Sequence, residues 1–242
     1  MRITGEKRDI DYQRTLDFFE ERGRCADPRA PHTATMYQDK DLAERRDVIE
    51  RTTVLPLLRL TGVERVLDIG CGYGRWAQVL SPYIKQYLGV DFSAELLAHA
   101  RQLGVTRCHF QQLAAQDISP ESLEVPPPFE CFLCSGILIY LNDNDVAHLA
   151  SSLAKMAARS ARVYLREPMA EQTRLTLDQH FSDELRREYS AIYRTSTETD
   201  ELFGRSLAEA GFTQKVKARL YPPELCNRKE TMQHIQIWER TE

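Results

Sequence analysis

The sequence lacks the long apolar runs that mark membrane and secreted proteins. Its longest apolar stretch, 131–141, is far shorter than the about 20 residues that a transmembrane helix needs, and the N-terminus has no apolar core of a secretion signal. It also lacks a basic stripe, because 32 Lys and Arg residues are interspersed with 36 Asp and Glu residues, for a formal charge of −4. We therefore expect a cytoplasmic protein that neither spans a membrane nor binds nucleic acid.

Cysteine is scarce and scattered, with six residues in 242. Cys131 and Cys134 have C-x-x-C spacing, but they lie in a predicted buried strand, where their side chains would point to opposite faces of the sheet. No Asp-Lys or histidine pair stands at metal-ligand spacing. We expect buried thiols in a reducing compartment and no metal site.

What the sequence does contain is a strand, a glycine-rich turn and a helix within Val66–Leu80. Three glycines at alternate positions, Gly70, Gly72 and Gly74, follow the apolar strand. Glycine accepts positive φ and lets a ligand lie against bare backbone, next to the free N–H groups of the new helix. The stretch predicts a ligand-binding loop.

Two ligand classes compete for this loop. A nicotinamide or flavin fingerprint, G-x-G-x-x-G, needs a third glycine where this chain has Arg75, and the carboxylate of Asp68 would repel a pyrophosphate. Asp68 suits a cationic ligand that carries an ammonium group. Asp91 ends the next apolar strand at the usual distance for binding ribose hydroxyls.

The stretches Asp68–Gly74 and Gly89–Ser93 together resemble the class I S-adenosylmethionine (SAM)-dependent methyltransferases. The resemblance implies that the methionine part of SAM lies over the glycine turn, near Asp68, and that Asp91 holds the ribose. It implies that Tyr37, helped by Arg46, folds over the SAM carboxylate. The remaining cofactor contacts expected from it are Gly70, Cys71, Gly72, Arg75, Trp76, Phe92, Ser135 and Gly136.

Alternating strand and helix signals after residue 64 predict a parallel, doubly wound α/β sheet. The resemblance implies a Rossmann-like, seven-stranded sheet with an antiparallel last strand. We expect a single domain in which residues 1–60 form an N-terminal helical cover, bent or restarted at Pro56, and residues 61–242 form the methyltransferase core. The long segment 168–198 at the ligand face is expected to be a substrate lid.

The chain departs from the family pattern after the third strand of the core. Alanine fills the position where the family usually has an acidic residue that binds the adenine amine, and Asp117 comes three residues later. We expect backbone groups of Ala114 and Ala115 to hold the adenine, with Gln116 or Asp117 assisting.

Methyl transfer from a sulfonium requires alignment of acceptor and methyl group, and an alcohol acceptor also requires a base. Candidates for that base are His180, whose ordinary pKa suits the task, Glu167 after the fifth strand, and Asp143. Candidates for contacts with the acceptor, expected to be a small polar or glycosidic molecule, are Tyr140, Tyr193 and Arg194.

Several short stretches, among them Ile139–Asn142 and Leu165–Pro168, are similar to a bacterial subgroup of this family assigned to polysaccharide or natural-product tailoring. The resemblance suggests O-methylation of a sugar or glycoside hydroxyl. Two alternatives stay open: an N-methyltransferase acting on an amino sugar, a small amine or a peptide N-terminus, and a non-catalytic SAM-binding regulator.

Overall fold

The computed structural model describes residues 1–27, 39–183, 185–226 and 228–241. Its strands are β1 (Arg2–Thr4), β2 (Arg65–Ile69), β3 (Gln86–Asp91), β4 (Cys108–Gln112), β5 (Phe129–Ser135), β6 (Ala157–Ala170), β7 (Leu175–Ser182), β8 (Arg187–Tyr193), β9 (Thr213–Arg219) and β10 (Thr231–Arg240). Its α-helices are α1 (Tyr12–Arg24), α2 (Lys40–Leu58), α3 (Arg75–Leu80), α4 (Ala94–Gln102), α5 (Asp143–Met156), α6 (Ser196–Thr199) and α7 (Arg205–Glu209), the last two joined by a π-helical segment (Asp200–Gly204).

Seven strands form one sheet in the order β4-β3-β2-β5-β6-β10-β9. The strands from β4 to β6 are parallel, whereas β10 runs antiparallel to both β6 and β9. The predicted fold class, a doubly wound seven-stranded sheet with an antiparallel last strand, is confirmed. The carboxyl ends of β2, β3, β5 and β6 meet at one edge, so the loops that follow them lie together there.

Helices cover both faces of this sheet, giving three layers. On one face, Leu149 of α5 packs with Phe132 of β5 in a fully buried cluster. On the other face, Val54 of α2 and Trp76 of α3 pack with Leu133, the neighbouring residue of β5. Side chains alternate along a strand, so one strand supplies both cores.

The same alternation separates the two cysteines of β5. Cys134 belongs to the cluster that contains α5, and Cys131 to the cluster that contains α2 and α3. The prediction that the two sulfurs face opposite sides is confirmed, and all six cysteines are free thiols.

Helix α2 begins where the side chain of Asp39 accepts the backbone N–H of Leu42 at 3.0 Å. It continues as one helix through Pro56, so the expected restart at this proline is wrong. A proline inside a helix removes one backbone hydrogen bond, and this helix ends only two residues later at Leu58.

A second sheet lies beside the first, with the order β1-β7-β8 and antiparallel pairing throughout. Strands β7 and β8 come from the segment 168–198, and β1 comes from the N-terminal region. The expectation that the N-terminal region is helical throughout is therefore wrong, because Arg2–Thr4 form a strand that pairs with Leu175–Leu177. Among the residues that the structure describes, no helix is both long and apolar enough to cross a membrane.

Candidate active site

The glycine loop between β2 and α3 needs glycine at two positions for steric reasons. Gly70 has φ of 69° and Gly74 has φ of 83°, values that side chains rarely tolerate. A Cβ on Gly70 would lie 2.9 Å from Ile137 Cδ1, and one on Gly74 would lie 2.9 Å from Leu103 Cδ1. The loop thus follows the tight backbone path that the sequence predicts.

Asp91, at the end of β3, links that strand to the glycine loop. Its carboxylate accepts the backbone N–H of Gly72 at 2.9 Å and the N–H of Ser93 at 2.9 Å. Burial raises the pKa of Asp91 to about 6, although these hydrogen bonds act in the opposite direction. A buried carboxylate therefore faces the cavity beside the loop.

Asp68 supplies a second buried carboxylate to the same cavity. It accepts a hydrogen bond from the Tyr87 hydroxyl, and burial raises its pKa to about 7. Burial disfavours the ionised form of Asp68. A cationic ligand at this position would favour the ionised carboxylate and would in turn be stabilised by its charge.

Arg75 joins α3 to α2. It stands where a nicotinamide fingerprint has its third glycine. Its Nη1 lies 2.8 Å from Asp47 Oδ1 and its Nη2 lies 3.0 Å from Glu50 Oε2. Glu50 is fully buried and also accepts a hydrogen bond from Tyr164 (2.7 Å). Burial alone would raise the pKa of Glu50, but the guanidinium groups of Arg166 and Arg75 lower it to about 2.

These groups surround a cavity of about 190 Å³ at the carboxyl edge of the sheet. Most of the residues predicted to contact the cofactor or the acceptor line it: Arg46, Asp68, Gly70, Cys71, Gly72, Arg75, Trp76, Asp91, Phe92, Ser135, Gly136, Tyr140 and Tyr193. Arg46 donates to the carbonyl of Leu225 and lies 5.4 Å from the ring centre of Tyr221. Tyr37 lies outside the described residues.

A smaller cavity of about 20 Å³ adjoins the first and shares Asp91 and Phe92 with it. Ala115 and Gln116 line it, as expected for the adenine region, whereas Ala114 does not. The carbonyl of Ala114 instead accepts the N–H of Asp117 at 3.0 Å. A volume of this size holds about one water molecule, so a purine would require these side chains to move apart.

Asp143 and Arg194 form a partly buried ion pair. Neither residue lines the cavity. The Asp143 carboxylate accepts hydrogen bonds from Arg194 Nε (2.9 Å) and Arg174 Nη2 (2.8 Å). Burial would raise the pKa of Asp143, but these arginines lower it to about 2. Arg194 also donates to the carbonyls of Leu138 (2.7 Å) and Leu141 (2.6 Å). The expected roles of base and acceptor contact are corrected: this pair holds the turn before α5.

Glu167 also holds this turn. Its Oε1 accepts the backbone N–H groups of Ile137 (2.8 Å) and Leu138 (2.9 Å), and burial raises its pKa to about 7. Its neighbours Arg166 and Pro168 line the cavity, and alternation along β6 directs Glu167 to the other face. The placement argues against its predicted role as the base.

His180, the third candidate base, lies on β7 opposite Tyr189 in the small sheet. Its side chain does not line the larger cavity, and the pKa of its imidazole is lowered by burial and by the nearby N-terminus. The structure brings none of the three predicted bases to the cavity wall.

One wall of the cavity is formed by aromatic residues of β8 and an arginine that the sequence did not indicate. The hydroxyl oxygens of Tyr189 and Tyr193 lie 3.2 Å apart, and Arg228 donates a hydrogen bond to Tyr189. Arg228 Cζ lies 5.8 Å from the ring centre of Tyr189 and 5.9 Å from that of Tyr193. Arg228 follows a Pro-Pro break in a loop, where no local pattern marks it as functional.

Helix α1 closes the cavity from the N-terminal side through Phe18, Phe19 and Arg22. The ring of Phe19 meets Tyr140 edge-on at 5.0 Å between centres, and Phe18 lies 6.2 Å from Tyr189. The apolar spacing of α1 predicts a packed face, but not that this face would line a ligand cavity.

Comparison with known sequences supports the interpretation of the glycine loop. Residues 66–160 match the model of a family described as a methyltransferase domain. YcgJ of Bacillus subtilis (strain 168), described as an uncharacterized methyltransferase, is 31% identical over 157 residues, which cover 62% of this chain and 53% of that protein. The chain spans about half the length of the curated relatives it matches.

Solved structures share the fold over nearly the whole chain. DhpI in complex with SAH superposes with a TM-score of 0.66 at 16% identity, covering 95% of this chain and 97% of that one. Phosphoethanolamine N-methyltransferase 1 of Haemonchus contortus, in complex with phosphoethanolamine and S-adenosylhomocysteine, superposes with a TM-score of 0.68 at 16% identity, covering 94% of this chain and 48% of that one. The sequence match and the sheet order agree: residues 66–160 are similar to a methyltransferase domain, and the chain shares the fold of these solved structures.

Proposed function

We propose that the protein is a SAM-dependent methyltransferase that acts on a small polar acceptor. The observation that carries this proposal is the convergence of the glycine loop, Asp68 and Asp91 on one cavity within a methyltransferase domain. The residues fit the cofactor. The positive-φ glycines leave bare backbone for it, and two buried carboxylates with raised pKa values suit a ligand that carries positive charge and ribose hydroxyls.

The cofactor is S-adenosylmethionine, which supplies an electrophilic methyl group when bound. Asp91 is positioned for the ribose hydroxyls, and the Gly70–Gly74 backbone with Asp68 for the methionine part. Arg46 lines the same cavity, which supports the proposal that it contacts the carboxylate. Residues 1–60 and the segment 168–198 contribute walls of the cavity through α1 and β8, which supports their roles as cover and lid.

The protein's part in methyl transfer is to exclude water and to align the acceptor. Phe18, Phe19 and Tyr140 enclose the cavity with aromatic surface, and Tyr193 adds a hydroxyl. The leaving group is a neutral thioether, so the site does not have to stabilise a charge on it. We infer that the acceptor group is a hydroxyl of a sugar or glycoside.

A second candidate, N-methylation of an amine, is favoured by one feature of the wall. Of the described residues that line the larger cavity, Asp68 and Asp91 are the only acids and none is a histidine. A neutral amine needs no base, whereas an alcohol of ordinary acidity does. By this criterion an amine acceptor requires less of the cavity wall than a sugar hydroxyl does.

Calorimetric titration of SAM and of NADH into the purified protein tests the cofactor assignment. Asp91→Ala serves as the site variant and Glu209→Ala, at an exposed acid on α7 outside both cavities, as its matched control. SAM binding that is lost only in Asp91→Ala supports the proposal, and binding of NADH in place of SAM contradicts it. Mass spectrometry of sugar and amine pools incubated with methyl-deuterated SAM then identifies the acceptor. SAM binding without any labelled product would indicate the regulator.

A further inference from the structure

The larger cavity has a polar wall that lies on strands β6 and β10. Arg166, Gln233 and Thr231 line the cavity there. In the antiparallel pairing of the two strands, Gln233 lies opposite Pro168 and Thr231 lies opposite Ala170. Residues two apart along a strand point to the same face, so the three polar side chains share one face of the sheet. We call these three residues the β6–β10 wall.

This wall lies beyond the region proposed for the cofactor. In the sheet, β3 ends at Asp91 and is followed in space by β2, β5, β6 and β10. Since neighbouring strands are about 4.8 Å apart, β10 lies about 19 Å from β3. A cofactor whose ribose meets Asp91 and whose methionine part meets the glycine loop after β2 leaves the β6–β10 wall to the acceptor.

The guanidinium group of Arg166 is held in place by its neighbours. Its Nε donates to Ser135 Oγ at 3.1 Å and to Glu50 Oε1 at 3.4 Å, and its Nη1 donates to Gln233 Oε1 at 3.3 Å. A Cβ on Gly136 would lie 3.1 Å from Nη1, so glycine lets the guanidinium lie against the backbone. With the part of the chain that the structure describes, Arg166 forms hydrogen bonds through Nε and Nη1 only, and the N–H groups on Nη2 remain for a ligand.

Gln233 and Thr231 add further donors beside Arg166. Because the amide oxygen of Gln233 accepts a hydrogen bond from Arg166, the amide NH₂ group is directed away from the guanidinium. The hydroxyl of Thr231, which can donate or accept, follows on the same strand face. Both side chains are buried, and polar contacts are stronger where water is excluded.

The charges around Arg166 favour an anionic ligand. A chain of ion pairs sets three guanidinium groups against two carboxylates, in the order Arg51, Asp47, Arg75, Glu50 and Arg166. The side chain of Arg51 is 39% exposed, so water stabilises its charge, whereas that of Arg166 is 13% exposed and faces the cavity. Glu50 lies closer to Arg75 (3.0 Å) than to Arg166 (3.4 Å). The excess positive charge is therefore least compensated at the cavity end of the chain.

We infer that the β6–β10 wall is the acceptor subsite and that it binds a carboxylate of the methyl acceptor. The two oxygens of a carboxylate match the N–H groups of Arg166 and the amide of Gln233, and charge-assisted hydrogen bonds are stronger than neutral ones. A single negative charge also offsets the one excess guanidinium of the ion-pair chain. The anchored acceptor would lie over β6 and β10 with its nucleophilic atom directed toward the glycine loop. A hydroxy acid, such as a sugar acid, meets this requirement and carries the proposed hydroxyl.

Because the anchored molecule is the acceptor of the proposed reaction, the inference rests on the proposed function, and the experiment separates the two. Acetate is titrated by calorimetry into the wild-type protein at constant ionic strength, with and without saturating S-adenosylhomocysteine. Acetamide, which has the same shape but no charge, is the matched neutral ligand.

The same titrations use variants of the wall. Gln233→Glu places a carboxylate beside Arg166 at almost unchanged volume, Thr231→Val removes the hydroxyl, and Arg166→Lys keeps the charge but loses the fork. Gln102→Glu adds the same negative charge at an exposed residue of α4 outside the cavity and is the matched control for Gln233→Glu.

We expect acetate to bind the wild-type protein and Gln102→Glu equally, with or without S-adenosylhomocysteine. It should bind Gln233→Glu about tenfold or more weakly, because the new carboxylate occupies Arg166 and repels the ligand, and acetamide should bind the wild type more weakly by a similar factor. Thr231→Val should give a smaller loss. Arg166→Lys should fall between the wild-type protein and Gln233→Glu.

The inference is overturned if acetate fails to bind the wild-type protein, if acetamide binds as well as acetate, or if Gln233→Glu binds acetate as the wild type does. Acetate that binds the protein alone but is displaced by S-adenosylhomocysteine would place the site under the carboxylate of the cofactor, which also overturns it. Failure of S-adenosylhomocysteine to bind would instead overturn the proposed function, and the titration without it would still test the subsite. The thermal midpoint of each variant shows whether a loss of acetate binding is local.

Discussion

The carboxylate of Asp91 accepts the backbone N–H of Gly72 at 2.9 Å, across 19 residues of sequence. The bond joins the end of β3 to the middle of the glycine loop, so the two elements that the sequence marks as ligand-binding are also a single structural unit. A ligand that donates a hydrogen bond to the Asp91 carboxylate would therefore act on the loop directly.

Asp68→Asn is expected to make the free energy of unfolding less dependent on pH. The folded pKa of Asp68 is about 7, above the unfolded value near 4, so between these values the folded protein keeps a proton that the unfolded chain has lost. The free energy of unfolding therefore falls as pH rises through this window. Asparagine can still accept the Tyr87 hydroxyl but never ionises, so the variant should match or exceed the wild type above pH 7, by an amount on the order of a few kcal/mol at most.

Chemical denaturation of wild-type protein and Asp68→Asn between pH 4 and 8 measures this effect. Asp117→Asn, at an exposed acid, should reproduce the wild-type curve. A residual decline should persist in Asp68→Asn, because burial also raises the pKa values of Asp91 and Glu167. Identical slopes for wild type and Asp68→Asn would show that this carboxylate ionises normally.

Glu50→Gln should be strongly destabilising. Glu50 is the shared partner of Arg75 and Arg166, and removing its charge leaves both guanidinium groups buried with less compensation. Loss of one partner of a buried ion pair costs about 3–5 kcal/mol, whereas a more exposed pair contributes about 1 kcal/mol or less. Asp47→Asn, which weakens the outer pairing of Arg75 and the pairing of Asp47 with the more exposed Arg51, is the matched comparison. Equal urea midpoints for the two variants would contradict this account.

The sequence predicts those elements of the fold that neighbouring residues determine. Strand β2 (Arg65–Ile69) lies where its apolar residues predict a strand, and it ends directly before the glycine turn. The walls of the cavity depend instead on contacts between distant segments. Arg228 meets Tyr189 across 39 residues, and Arg194 reaches Leu138 across 56, so no periodicity or spacing reveals either contact.

The segment 168–198 shows the same limit in another form. Its length and position predict a lid. In the structure β7 and β8 form a sheet whose third strand is β1, from the N-terminal region, and no local sequence pattern indicates this pairing. Asp143 and Glu167 are candidate bases in the sequence because each follows a core strand. The sequence shows that an acid lies at the sheet edge, but not which face of the strand it occupies.

Asp143→Asn should remove part of the stability that the wild type has above pH 4. The folded pKa of Asp143 is about 2, below its unfolded value, so its contribution is complete above about pH 4 and is lost as pH falls toward 2. The variant should be less stable at neutral pH by about 1–3 kcal/mol, the usual cost of losing charge-assisted hydrogen bonds, and its stability should change less on acidification. Urea titrations at pH 3 and pH 7 measure both, with Glu209→Gln, an exposed acid on α7, as the control. A variant that loses as much stability on acidification as the wild type would contradict the ion-pair assignment.

His180→Ala and Glu167→Gln should both retain methyl transfer once an acceptor is identified. Neither side chain lines the cavity, and the glutamine amide keeps an oxygen that can accept the N–H groups of Ile137 and Leu138. Removal of a general base lowers turnover by about 10² to 10⁴, so we expect changes well below that range. The pH profile gives an independent readout: because the pKa of Glu167 is about 7, a base role would give the wild type a rise in turnover near pH 7 that Glu167→Gln lacks. If either variant lost about a hundredfold in turnover while keeping wild-type SAM affinity, the corresponding residue would be the base and the cavity would have to open toward it.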